Sequence, residues 1–238
     1  MQNTEFRTGV INPVECVKEG FELIKSDYWL LFGITIVGAL IGGVTMYILV
    51  GAMLCGMFIA YLKKVDGIPV AFDDLWKGMQ FFAPGLIVTA FMIVPMIVFY
   101  FGVYISMFGV ILVGAQMGES AVIPLIIVMG VIDLIFVIGL VCFHTLLMFA
   151  FPLIVDRQLG GIDSMKTSAR AVWQNLGGVA GLIGVNFVLC IVGYLALCVG
   201  VYFVIPVIIA GNVVAYRRVF PSLNMRTGFN PPNSYQGQ

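Results

Sequence analysis

The sequence predicts an all-α integral membrane protein, with six transmembrane helices arranged as three hairpins, each preceded by an amphipathic helix on the cytoplasmic side. Three observations predict it. Hydrophobic residues fill 61% of the positions and charged residues only 10%, whereas about a quarter of a soluble domain is charged, so too few polar side chains exist to coat a water-facing surface. The apolar residues gather into blocks at 28–62, 83–152 and 177–216, each longer than the roughly 20 residues of a single helical crossing. Every Lys and Arg lies between or outside these blocks, as the preference of basic residues for cytoplasmic loops requires when both termini are cytoplasmic.

The elements follow in chain order. Asn12 is a suitable N-cap, Pro13 suits the first helical position and Glu15 the third. They open an amphipathic helix over 13–27, with Val14, Val17, Phe21, Ile24 and Tyr28 opposed by Glu15, Lys18, Glu19, Glu22 and Lys25. The first hairpin, 28–62, turns at Gly42-Gly43, which leaves its helices short for a full crossing. A second amphipathic helix, 71–82, sets Phe72, Leu75, Met79 and Phe82 against Asp73, Asp74, Lys77 and Gln80. The second hairpin, 83–152, has helices long enough to tilt or project, and Pro95 and Pro124 predict kinks. A third amphipathic helix, 162–176, sets Ile162, Met165, Ala169, Val172 and Leu176 against Lys166, Thr167, Arg170 and Gln174, before the hairpin 177–216. The polar, breaker-rich tail 221–238 is expected to be disordered and cytoplasmic.

The three amphipathic segments align without gaps, which points to an internal repeat. Lys18, Trp76 and Lys166 share one position; Val14, Phe72 and Ile162 share another, as do Val17, Leu75 and Met165. Gly20, Gly78 and Ser168 then coincide, and their small size predicts a close-packing position where backbones approach. Gly38-x-x-x-Gly42, Ala52-x-x-x-Gly56-x-x-x-Ala60 and Gly177-x-x-x-Gly181 are further close-packing faces, expected to join helices within the chain.

The stretch Phe151-Pro152-Leu153-Ile154-Val155-Asp156-Arg157-Gln158-Leu159-Gly160-Gly161, continuing to Arg170, resembles a recurrent motif of bacterial six-span membrane families, among them the glycerophosphoryl diester phosphodiesterase membrane-domain type. The segment Val65-Asp66-Gly67-Ile68-Pro69-Val70-Ala71-Phe72-Asp73-Asp74-Leu75-Trp76-Lys77-Gly78 is similar to the first cytoplasmic loop of those families. The resemblance implies a bacterial cytoplasmic-membrane fold. It implies no enzyme, because the phosphodiesterase members carry catalysis in a soluble domain that this sequence lacks.

Asp133 is the one ionisable residue placed well inside a hydrophobic block, where an ionised carboxylate is costly unless paired, hydrated or protonated. His144, eleven positions on, returns to nearly the same helix face about 16 Å along the axis. The two are candidates for a polar pathway; the plainer alternative is that each bonds locally. Tyr47, Tyr100, Tyr104, Tyr194, Tyr202, Tyr216, Trp29 and Trp173 are expected as interfacial anchors. Asp73, Asp74 and Asp156 read as helix caps and surface ion pairs with Lys77 and Arg157.

No paired carboxylates, Ser/His/Asp set, metal-ligand cluster or glycine-rich phosphate loop is evident. No catalytic residue, cofactor or metal is therefore expected. The zero net charge argues against nucleic acid as a partner. The expected partners are the lipid bilayer and a protein at the cytoplasmic amphipathic helices, with oligomeric state left open. A scaffold or accessory subunit is the leading expectation, and a small transporter using Asp133 the alternative.

Overall fold

A computed structural model of the chain describes residues 5–196 and 199–222. The tail beyond Ser222 and the Leu197-Cys198 tip lie outside the described residues. Every regular element among those described is helical. The α-helices are α1 (Pro13–Ile24), α2 (Tyr28–Val44), α3 (Val50–Val65), α4 (Phe82–Met117), α5 (Glu119–Leu146), α6 (Ala150–Arg157), α7 (Gly161–Gln174), α8 (Leu176–Leu195) and α9 (Gly200–Val219). The 3-10 segments Lys25–Asp27 and Phe72–Phe81 lead into α2 and α4.

Five helical stretches among the described residues are long and apolar enough to cross a membrane: Pro13–Val44, Phe72–Gln116, Val122–Arg157, Leu176–Leu195 and Gly200–Val219. The chain is thus a helical, membrane-embedded protein. The stretch that falls short is α3, whose 16 residues extend about 24 Å. It is also the helix most enclosed by protein. Gly51, Ala52, Met53, Cys55, Gly56, Met57 and every residue of Ile59–Lys63 are buried, and α3 packs on α2, α4, α6, α9 and the Phe72–Phe81 segment. Lipid tails are as apolar as these side chains, so close packing of small residues, not water exclusion, holds α3 in place.

The first connection differs from expectation. Gly42 and Gly43 remain helical, and the turn lies at Thr45–Leu49 with Met46 and Tyr47 both at positive φ. Gly42 is needed for packing instead, since a Cβ there would meet Val50 Cγ2 at 2.8 Å. The helices α4 and α5 run unbroken through Pro95 and Pro124. The break falls at 147–149, between α5 and α6. There Ser168 of α7 enters the helix ladder, its hydroxyl donating to the Leu146 carbonyl at 2.7 Å and accepting from the Phe149 N–H at 3.1 Å.

The amphipathic segments bury faces rotated from those predicted. In α1 the buried residues are Cys16, Val17, Gly20 and Ile24, while Val14 and Phe21 are exposed. The face turns toward Gly20 because α9 approaches there so closely that a Cβ would lie 2.6 Å from the Gly211 nitrogen. Between Phe72 and Phe81 the 3-10 winding repeats every three residues, so Leu75 and Gly78 stack on one buried row and Met79 turns outward. In α7 Ser164, Met165, Ser168, Ala171 and Val172 are buried while Ile162, and Leu176 at the start of α8, are exposed.

Candidate functional site

The polar groups fall into an intramembrane set on the apolar helices and a charged cluster where helix ends converge. Asp133 belongs to the first. It lies in a groove of about 470 Å³ formed by α4 and α5 alone, facing Gly102, Ser106 and Gly109 across an otherwise apolar wall. No described residue hydrogen-bonds to it or pairs with it. His144 also faces α4, with Nδ1 2.8 Å from the Leu140 carbonyl and Nε2 3.2 Å from the Met92 carbonyl. A neutral imidazole can donate to only one of these. The histidine's two carbonyl neighbours lie one on its own helix and one on α4, and His144 does not line the groove that holds Asp133.

Two polar pairs between apolar helices are not foreseen from the sequence. Asn186 Nδ2 donates to Asn212 Oδ1 at 2.9 Å, joining α8 to α9. Thr35 and Tyr61 share a buried hydroxyl contact at 2.8 Å between α2 and α3. Both are cross-helix bonds of the kind that fixes register in an apolar medium.

The charged cluster forms where α3, α6 and α9 end. Arg217 forks onto Asp66, Nε at 2.9 Å and Nη2 at 2.6 Å, while its Nη1 lies 2.7 Å from Asp156 Oδ1. Tyr216, wholly buried, donates to Asp156 Oδ2 at 2.7 Å. Arg157 lies beside the same carboxylate and donates to the Pro221 carbonyl at 2.6 Å. The contacts of Arg157 Nε and Arg217 Nη1 with Asp156 are ion pairs in distance but are not aligned as hydrogen bonds. Burial raises the Asp66 carboxyl above its ordinary range despite the Arg217 guanidinium, and the Asp156 charge adds to the rise. Asp156 is thus no surface partner, and Tyr216 no interfacial anchor. A recurring pattern marks the site in the sequence: Ala60-Tyr61, Ala150-Phe151 and Ala215-Tyr216 are all buried, and Asp66 and Asp156 each follow their aromatic by five positions.

Outer ion pairs extend the cluster. Lys64 pairs with Asp27, and Arg218 reaches Glu15 at 3.3 Å and Glu19 at 2.7 Å. Asp74, read from sequence as a surface cap, has a fully enclosed side chain that accepts from Lys63 at 2.8 Å, Lys77 at 2.9 Å and the Ala71 N–H at 2.9 Å. Its capping role stands, but at a buried position.

The aligned small residues each meet another helix. Gly20 lies against α9; Gly78 lies against the Ala52 carbonyl and the Gly56 nitrogen of α3; Ser168 lies in the α5–α6 break. The Ala52, Gly56 and Ala60 face is fully used within the chain. At the start of α8 the close contacts are Gly178 on Ile11 and Gly181 on Pro13, whereas Gly177 faces open space. Among the described residues no group of three or more His, Cys, Asp or Glu is placed to hold a metal ion. Compared with known proteins, the chain matches no family model, no curated protein and no solved structure.

Proposed function

We propose that this chain is a non-enzymatic membrane scaffold or accessory subunit, and that the α4–α5 pair is the arm by which it holds a partner within the membrane. The observation that carries the reading is Asp133, a carboxylate without a partner among the described residues, in an open groove lined also by Gly102, Ser106 and Gly109. Small residues let a neighbouring helix approach, and an intramembrane acid gains most from a partner that bonds it. The arm packs on α3, α6 and α7, but most of its length is uncovered. From Ala90 to Leu146 no described residue is buried.

In this reading α2 with α3, α4 with α5, and α8 with α9 cross as three hairpins, giving six crossings with both termini cytoplasmic. The convergence of Lys64, Asp66, Asp156, Arg157, Arg217 and Arg218 at one end supports it, because basic residues stay on the cytoplasmic side. The proposed architecture is three copies of one unit. Its support is the shared burial of Cys16, Asp74 and Ser164, of Val17, Leu75 and Met165, and of Gly20, Gly78 and Ser168, with Val14, Phe72 and Ile162 all exposed. Membership of the six-span families named by resemblance is part of the same proposal.

Transport through Asp133 would need a path enclosed by protein, whereas its groove has only two helices for walls. The test is photo-crosslinking in native membranes from positions 105 and 134, which flank the groove. One protein recovered stoichiometrically, and lost with Asp133→Leu, is the expected result. A pH-gradient-driven flux in proteoliposomes that disappears with Asp133→Asn would overturn the scaffold reading.

A further inference from the structure

The outer edge of α1 carries a second kind of surface. Val14, Lys18 and Phe21 follow one another at i, i+4 and i+7 and so share one side of the helix. Lys25, a further four residues on, continues the same edge. Glu15 and Glu19 lie on a different edge of α1, where Arg218 engages them, and Glu22 pairs with Lys25 at 3.9 Å. Lys18 is thus left beside the exposed apolar side chains Val14 and Phe21. Lys18 has no hydrogen-bond or ion-pair partner among the described residues.

This edge forms one wall of a groove of about 420 Å³, whose other walls are Val185 and Leu189 of α8 and Val207 of α9. The volume lies within the range of roughly 300–1,000 Å³ typical of sites for small amphiphiles. Lys18 is the one charged residue lining it, and the rest of the wall is apolar. The groove is bounded by α8 and α9, two of the stretches apolar enough to cross the membrane, so lipid chains are the apolar material at hand. A lysine at the membrane surface keeps its stem along apolar surface and its ammonium at headgroup level.

We propose that this groove binds one anionic glycerophospholipid, with an acyl chain between α1, α8 and α9 and the phosphate on the Lys18 ammonium. The site is separate from the Asp133 arm and is independent of whether that arm holds a partner. Bound lipid would fasten α1 to the last two helices at the level where Arg218 also grips it.

The test uses the full chain purified in mild detergent, with phosphatidylglycerol and phosphatidylcholine of identical chains added in turn and bound lipid counted by native mass spectrometry. One lysine near an anionic lipid corresponds to about fivefold preference, so phosphatidylglycerol should be retained about fivefold over phosphatidylcholine. Lys18→Gln should abolish the preference while Lys18→Arg keeps it, and Leu189→Trp should displace both lipids by filling the groove. Should Leu189→Trp fail to fold, Val185→Phe fills the same space. Equal retention of the two lipids, a preference that survives Lys18→Gln, or full displacement by glycerol 3-phosphate, which has no chains, would each overturn the proposal.

Discussion

At Gly78 a single hydrogen decides whether two segments can meet. A Cβ there would collide with the Ala52 carbonyl and the Gly56 backbone, neither of which is a flexible side-chain end. Gly78→Ala is therefore expected to lose about 1–3 kcal/mol, the usual cost of overpacking, read as a lower midpoint of thermal unfolding in detergent. Gly139→Ala, on α5 where an added Cβ meets nothing within 4 Å, should leave that midpoint unchanged. Asp66 makes a prediction in pH. Its proton is held more tightly in the folded chain than in the unfolded one, since burial raises the carboxyl above its ordinary value of 3.8. Its contribution to stability is then full below that value and is lost as pH rises through the higher folded value. Asp66→Asn should flatten the fall in midpoint that begins near 3.8 and extends upward, and an unchanged pH profile would count against the assignment.

Among the elements, the ten residues of Phe72–Phe81 show how winding alters a face. A helix of 3.6 residues per turn would turn Phe72, Leu75, Met79 and Phe82 inward, but the three-residue period stacks Leu75 over Gly78 and encloses Asp74. Asp74 then joins the segment to α3 through Lys63, whose side chain is 7% exposed. Asp74→Asn leaves that ammonium buried without its counter-charge. A loss of about 3–5 kcal/mol is expected, as for other buried pairs with one partner removed, and a denaturant or thermal melt in detergent measures it. The sequence shows Asp74 next to Asp73 and near Lys77 in a plainly amphipathic stretch. Nothing in that local pattern separates the enclosed carboxylate from the exposed one, because the difference arises from Lys63 on another helix.

For the whole molecule, stability and function are expected to respond in opposite ways at Asp133. The groove gives the carboxylate no described partner, so Asp133→Leu should hold or raise the thermal midpoint of the isolated protein while abolishing partner crosslinking. A midpoint that drops with Asp133→Leu would make the residue structural and defeat the arm reading. The bulk of the packing lies elsewhere. It is centred on α3, with α1 against α9, the Phe72–Phe81 segment against α3, and α7 against α5 and α6. The α4 and α5 helices, of 36 and 28 residues, extend about 54 and 42 Å against a hydrocarbon core of roughly 30 Å, and must tilt or project.

Composition, periodicity within one segment and residue size are local properties, and they were enough to predict a helical protein with apolar helices of membrane length. Other features emerged with the packing of the helices. The 16-residue α3, short of a full span, proved to be the central helix, and the α1 face turned toward Gly20. Asp74 and Asp156 were enclosed, and Arg217 came to lie between Asp66 and Asp156. Each of these depends on residues far apart in the chain, such as the 151 positions between Asp66 and Arg217. The order in which helices pack determines whether a charge at a helix end meets water or another helix, and no local pattern carries that information.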